Sequence, residues 1–393
     1  MVFKIIFVVL CVMNFSKSAI PDSDKSVTRL IEDYGYLVES HNIVTKDGYI
    51  LEIHRIPGIR GENIKNKKNV VLLMHGLLGS SADWVLTGPN RSLAFLLAEN
   101  GYDVWLGNNR GNTFGKNHKS YLSTSFGFWD FSWHELGIYD LPATIDYILK
   151  TTKIRNLNYV CFSQGCTQFL VMGSLMPEYN KKIRFTAALA PASALKNIKG
   201  VMTLASPFIS FSKILVENLG YFELIPSSSL LRIFTNYVCR ENSGLQNFCY
   251  LLIFNIVGNG LEEIDRVQFP DVFSYFPAGC SWKQVIHYIS DTKEYFGQYN
   301  YGLMKNLRLY NSTIPPEYPL KNVNVPIAIF HGPNDYLVPP QDVAILEKKL
   351  PNVVGRFFVT ERKLNHLDFM FGRNIRHLVY NRVVQIINLF KID

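Results

Sequence analysis

Few segments restrict a fold as tightly as a buried strand that turns into a helix through a single serine. Val160-Cys161-Phe162-Ser163-Gln164-Gly165-Cys166 has that form. Leu157, Tyr159 and Val160 predict a short buried strand, and Phe169, Leu170, Met172 and Leu175 recur afterwards at a helical period. A serine at such a corner is pushed outward with its Oγ exposed, above the amides that open the helix. The common form of the corner is G-x-S-x-G, in which both glycines avoid pressing on the neighbouring strand and helix. Gly165 supplies the second glycine, and Cys161 stands in place of the first. By itself Ser163 also suits a helix N-cap, so its chemistry depends on partners elsewhere in the chain.

Those partners follow in order. The strand predicted over Val325 to Gly332 delivers Asp335 to the loop after it. Gly355 to Thr360 reads as the next strand, and the loop beyond it carries Leu364-Asn365-His366-Leu367-Asp368. Ser163, Asp335 and His366 therefore come in the order nucleophile, acid, base, the acid and base on loops after strands. Asp342 and Asp368 are weaker candidates for the acid. Asp342 suits the first turn of a helix, and Asp368 is too near His366 along the chain. Upstream, Asn69 to Met74 is a run of β-formers ending in His75-Gly76-Leu77-Leu78-Gly79. Such a turn can place a backbone N–H opposite the nucleophile corner, so the amides of Leu77 and Gln164 are the expected oxyanion donors.

These blocks resemble the acid lipase family, which includes gastric lipase, lysosomal acid lipase and their insect relatives. The resemblance covers nearly the whole chain after its N-terminal segment. Beyond the blocks already named, it is carried by Val44 to Leu51, Gly101 to Asn108, Asn109-Arg110-Gly111-Asn112-Thr113 and Tyr139 to Asp146. The departures are Cys161 and Phe162, where the family usually has Gly-His, and Asn109, where it usually has Ser. The resemblance implies an α/β-hydrolase fold: a mostly parallel sheet covered by helices on both faces, with a largely helical cap inserted over the site. It also implies that Ser163, Asp335, His366 and the Leu77 and Gln164 amides act on neutral lipid esters. A disulfide between Cys239 and Cys249 matches the family's cap disulfide.

Domain limits follow: a signal segment at 1–18, the hydrolase core at 19–194, the cap at 195–320 and the rest of the core at 321–393. Lys4, the apolar run Ile5 to Met13 and the small residues Ser16 and Ser18 form the secretory signal, with cleavage expected after Ser18. The run is too short to span a bilayer. Strands at Val70 to His75, Asp103 to Leu106, Leu157 to Phe162 and Arg184 to Ala190 alternate with helices in the first core segment, as a parallel sheet requires. Pro142 predicts a kink or restart within the helical pattern that begins at Trp133. The cap is crowded with aromatic residues, among them Phe208, Phe211, Tyr221, Phe222, Phe234, Tyr237 and Trp282, and a mobile lid is expected around Val216 to Phe248.

With 48% hydrophobic and 18% charged residues, the chain of 393 residues has the composition of a globular protein with a large core. The net charge of +8 falls to +6 once Lys4 and Lys17 leave with the signal, which favours anionic lipid surfaces. No basic block interleaved with aromatics suggests nucleic acid, and Lys65 to Lys68 reads as a solvated loop. No spacing of His, Cys and Asp resembles a metal-ligand set, and no cofactor is expected. Five cysteines remain after the signal, an odd number in an oxidising compartment. Cys161 and Cys166 are expected as buried reduced thiols, with a strained disulfide between them as the alternative. Asn90 and Asn311 head N-glycosylation sequons. The expected protein is a monomeric lipase, secreted or lysosomal, working at a lipid–water interface. A catalytically silent lipid carrier of the same fold and an esterase for short soluble esters are the rivals.

Overall fold

The structure is a computed structural model and describes residues 26–62, 69–204, 222–224, 239, 243–260, 265, 269–290 and 295–391. The signal segment, the Lys65 to Lys68 cluster and much of the expected lid, with Phe208, Phe211, Tyr221, Phe234 and Tyr237, lie outside the described residues.

The first core segment carries helix α1 (Val27–Asp33), strands β1 (Glu39–Val44), β2 (Tyr49–Ile56) and β3 (Val70–Met74), helix α2 (Leu93–Glu99) and strands β4 (Asp103–Leu106) and β5 (Asn117–His118). Helix α3 (Leu141–Thr152), β6 (Leu157–Phe162), α4 (Gln164–Leu175) and β7 (Ile183–Leu189) complete it. The interval before the next sheet strand holds β8 (Glu223–Leu224), α5 (Gln246–Val257), β9 (Cys280–Ser281), α6 (Trp282–Ser290) and α7 (Leu303–Tyr310). β10 (Ile327–His331), α8 (Pro340–Lys349), β11 (Val353–Phe358) and α9 (Asn381–Asn388) close the chain.

Among the described residues nine strands form the main sheet, in the order β1-β2-β4-β3-β6-β7-β10-β11, with β5 on β2. Strands β4 to β11 along that path are parallel, and β1 and β2 add an antiparallel margin. The strands β3, β4, β6 and β10 are buried along their whole length because helices cover both faces of a parallel sheet. Alternation then sorts their side chains. Val71, Leu73, Val160 and Phe162 enter one core with α2 and α9, while Leu72, Met74, Tyr159 and Cys161 enter the other with α3, α4 and α8.

Two local devices seat the helices on this sheet. Before Pro142 residues Leu136–Asp140 widen into a π turn, and the α-helix restarts as α3 at Leu141, with Pro142 in the first turn where its missing N–H is not needed. Beside that junction Arg110 is fully buried. Its Nε donates to Asp140 Oδ1 at 2.8 Å, its guanidinium also meets the Asp47 carboxylate, and it lies 3.8 Å from the centre of the Tyr49 ring. One cation therefore joins the β1–β2 turn, the loop after β4 and the start of α3. Arg110→Met is expected to cost about 3–5 kcal/mol, because it strands the buried Asp140 carboxyl. Urea unfolding of both proteins at neutral pH measures it, and an unchanged midpoint would refute it.

Candidate active site

The corner after β6 determines the position of Ser163, the candidate nucleophile. Ser163 has φ 50° and ψ −112°, a conformation sparsely populated for a residue with a side chain, at a cost of order 1–3 kcal/mol. Its backbone is held on both sides: its N–H donates to Leu189 O at 3.0 Å, and its carbonyl accepts from Cys166 N at 3.0 Å. Gly165 is required here, since a Cβ would stand 2.4 Å from Met74 O and 2.8 Å from His75 O. The serine occupies the N-cap position but makes no side-chain cap hydrogen bond. Its Oγ points instead to the base.

β10 and β11 bring the other two residues to the same rim. Asp335 Oδ1 accepts from the amides of Leu337 (3.0 Å) and Val338 (2.7 Å), which leaves Oδ2 to accept from His366 Nδ1 at 2.7 Å. With Nδ1 committed to the carboxylate, His366 Nε2 accepts from Ser163 Oγ at 2.9 Å. The three are nearly sealed from solvent. The other candidate acids are engaged elsewhere: Asp342 accepts from the backbone and side chain of Asn197, and Asp368 Oδ2 accepts from Asn365 N at 2.7 Å.

Gln164 is the first residue of α4, where an amide has no carbonyl within its own helix to bond. Leu77 sits in a tight turn closed by Gly79 N donating to Gly76 O at 3.1 Å, with Leu78 at φ 62°. His75 supports that turn from below. Its Nδ1–H donates to Gly76 O at 2.7 Å, so its Nε2 accepts from Asn109 N (3.3 Å) and Asn112 Nδ2 (3.2 Å). Burial lowers the imidazole pKa to about 4, which keeps the ring neutral.

Several supporting residues escaped sequence reasoning. Phe162, one of the departures from the family pattern, packs its ring 4.9 Å from that of His366. Val257 O, at the end of α5, accepts from His366 N at 3.2 Å and from Tyr336 N at 3.3 Å. The following Gly258 has φ 116°, and a Cβ there would lie 1.9 Å from Asn334 O. Gln284 Nε2 of α6 donates to Gln164 Oε1 at 3.0 Å, and Ala278 N donates to Leu78 O at 2.7 Å. The only signal for these was the Gly258-Asn259-Gly260 punctuation.

The cysteines require a correction. Cys161 and Cys166, expected as reduced thiols, are joined in a disulfide, because the last inward position of β6 and the first turn of α4 bring their Cα atoms to 5.0 Å. Cys239 and Cys249 form a second disulfide, and Cys280 is a buried free thiol. Asn90 and Asn311 are both exposed, the latter closing α7 in the left-handed conformation.

Known proteins resemble this chain along most of its length. A family profile described as a partial alpha/beta-hydrolase lipase region matches residues 27–88, and one for the alpha/beta hydrolase fold matches 69–213. "Lipase 1" of Drosophila melanogaster is 41% identical over 93% of this chain and 80% of its own. Human "Gastric triacylglycerol lipase" is 36% identical over 94% and 92%, and rat "Lysosomal acid lipase/cholesteryl ester hydrolase" 34% over 94% and 93%. A solved Sulfolobus solfataricus structure superposes with a TM-score of 0.61 at 12% identity, covering 91% of this chain and 95% of that one, which speaks for the fold alone.

Because the His75 pKa is lowered from 6.5 to about 4 in the folded protein, its contribution to stability is complete above pH 6.5 and is lost as the pH falls toward 4. His75→Gln is therefore expected to lose less of its melting temperature than the parent between those pH values. Parallel slopes in thermal scans of the two proteins would contradict this.

Proposed function

The chain belongs to the acid lipase family of the α/β-hydrolases, and from that premise we propose that it hydrolyses neutral lipid esters, triacylglycerols first and sterol esters second. The carrying observation is the relay from Ser163 Oγ through His366 to Asp335, with spacings of 2.9 and 2.7 Å. Ser163 Oγ attacks the ester carbonyl carbon while His366 Nε2 takes its proton. Asp335 holds the ring tautomer and stabilises the imidazolium. The amides of Leu77 and Gln164 receive the oxyanion, and each such donor contributes about 3–4 kcal/mol to the transition state. The imidazolium passes its proton to the departing alkoxide, leaving an acyl-enzyme on Ser163. Water, deprotonated by the same nitrogen, then releases the fatty acid and restores the serine.

We assign residues 195–320 to a cap over this centre. Leu245, Phe248, Leu251 and Ile256 are exposed along and just before α5, which supports contact of the cap with an oil–water interface. Among the described residues no helix is long and apolar enough to cross a membrane. We place the protein in the secretory route, as a secreted or lysosomal monomer, with Asn90 the favoured glycosylation site and Asn311 the second.

Ser163→Ala is expected to lower turnover by a factor on the order of 10⁶ and to abolish labelling by a fluorophosphonate. Labelling of the parent at Ser163 separates an active enzyme from a silent carrier, and turnover that survives the exchange would refute the mechanism. For a lipase, the rate on a short-chain ester should climb as the ester passes from solution into emulsion. A rate that instead levels off at the solubility limit would identify a soluble-ester carboxylesterase.

A further inference from the structure

Helix α7 is inverted with respect to ordinary surface helices, which bury apolar residues and expose polar ones. Its fully buried residue is Asn306, whose Oδ1 accepts from Tyr301 N at 2.9 Å and whose Nδ2 donates to Asn300 Oδ1 at 2.8 Å and Thr313 O at 2.9 Å. The apolar residues face outward: Leu303 is 60% exposed, Met304 65%, Leu307 41% and Leu309 56%, with Ile314 just beyond at 65%. A polar bracket thus fixes the helix from beneath, while its leucines contribute little to the core.

Charge indicates what covers this face. Lys305 and Arg308 are the charged residues of the helix, and no acidic residue occurs between 295 and 316. Lys305 stands 4.4 Å from the centre of the Tyr301 ring, on the rim of a cavity of about 290 Å³ that Phe222, Trp282 and Phe126 also line, where Asp130 is paired with Lys283 at 2.9 Å and leaves the Lys305 charge uncancelled. Phe126 is itself half exposed. The cavity lies against α6, the helix whose Gln284 reaches Gln164. Paired cations around an apolar face disfavour a self-complementary contact with a second copy and favour an anionic lipid surface.

We propose that Leu303, Met304, Leu307, Lys305 and Arg308 dock the protein on a lipid–water interface bearing ionised fatty acid, the product of its own reaction. This rests on the lipase reading given above. As hydrolysis releases carboxylates into the interface, each cation near the surface strengthens attachment, so docking is reinforced by turnover.

The test is sedimentation with phosphatidylcholine vesicles, with and without oleate, at neutral pH and low salt. Oleate is expected to tighten binding of the parent, and Lys305→Glu/Arg308→Glu to weaken binding to oleate vesicles about twentyfold or more. Leu303→Ser/Met304→Ser/Leu307→Ser is expected to weaken binding to both vesicle types, with its melting temperature retained. Asn311→Gln is added to every form in a parallel series, since a glycan there would shade the face. Unchanged binding in both variants would overturn the proposal. So would a dimer of the parent that the serine variant dissolves, or a response to phosphatidylserine with none to oleate. Ser163-dependent hydrolysis of a dissolved ester, assayed on the same proteins, reports separately on the lipase reading, because these exposed residues take no part in that chemistry.

Discussion

The close approach of α4 to the end of β3 governs the rest of the site. With no side chain at Gly165, the first turn of the helix comes down onto the carbonyls of Met74 and His75. That contact forces Ser163 into its unusual backbone conformation and sets the Gln164 amide beside the turn holding Leu77. A methyl group at Gly165 would have to displace main chain rather than a flexible side chain, so the helix would back away. Both the serine and the amide would move with it. The backbone conformation of Ser163 is maintained because the residue is held from several sides, by Leu189 and Cys166 through hydrogen bonds and by the parallel pairing of β6 with β3 and β7.

The segment between β7 and β10 supports this centre through its main chain. The carbonyl of Val257 takes one hydrogen bond from the acid's loop and one from the base's, so the two loops are referenced to the same point at the end of α5. Gly258 and Gly260 allow that point to come close, for Cβ atoms there would strike Asn334 O and Lys363 O. On the other side, α6 joins Gln164 through Gln284, and Ala278 grips the Leu78 carbonyl. The relay geometry therefore depends on chain that sequence alone marks out only as aromatic-rich.

Local signals explain what was legible. The strand at 70–74 was readable because burial on both faces leaves an uninterrupted apolar run, and the order of Ser163, Asp335 and His366 was readable because each follows a strand. Apart from the Cys161–Cys166 disulfide, which joins residues five apart in the chain, the sharper misses involve contacts between distant residues. Nothing near Arg110 shows that Asp47 and Asp140 will converge on it, and nothing near His366 shows that Phe162 will lie against its ring. Propensity and periodicity describe a residue's neighbours in the chain. Satisfying a buried donor or charge depends on neighbours in space.

The replacement of the usual first glycine by Cys161 fits the same geometry. β6 sends alternate side chains to opposite faces, so residue 161 points into the core shared with α4, away from the pocket that holds His366. Its strand neighbours there are Met74 and Ala188, the second of which leaves room for a side chain. The sulfur then meets Cys166 one helical turn beyond Ser163 and ties strand to helix beneath the corner. A glycine at this place would let the two elements approach through an absent side chain. Cysteine fills the space and links them covalently, so Ser163 retains its position although the motif has lost its first glycine.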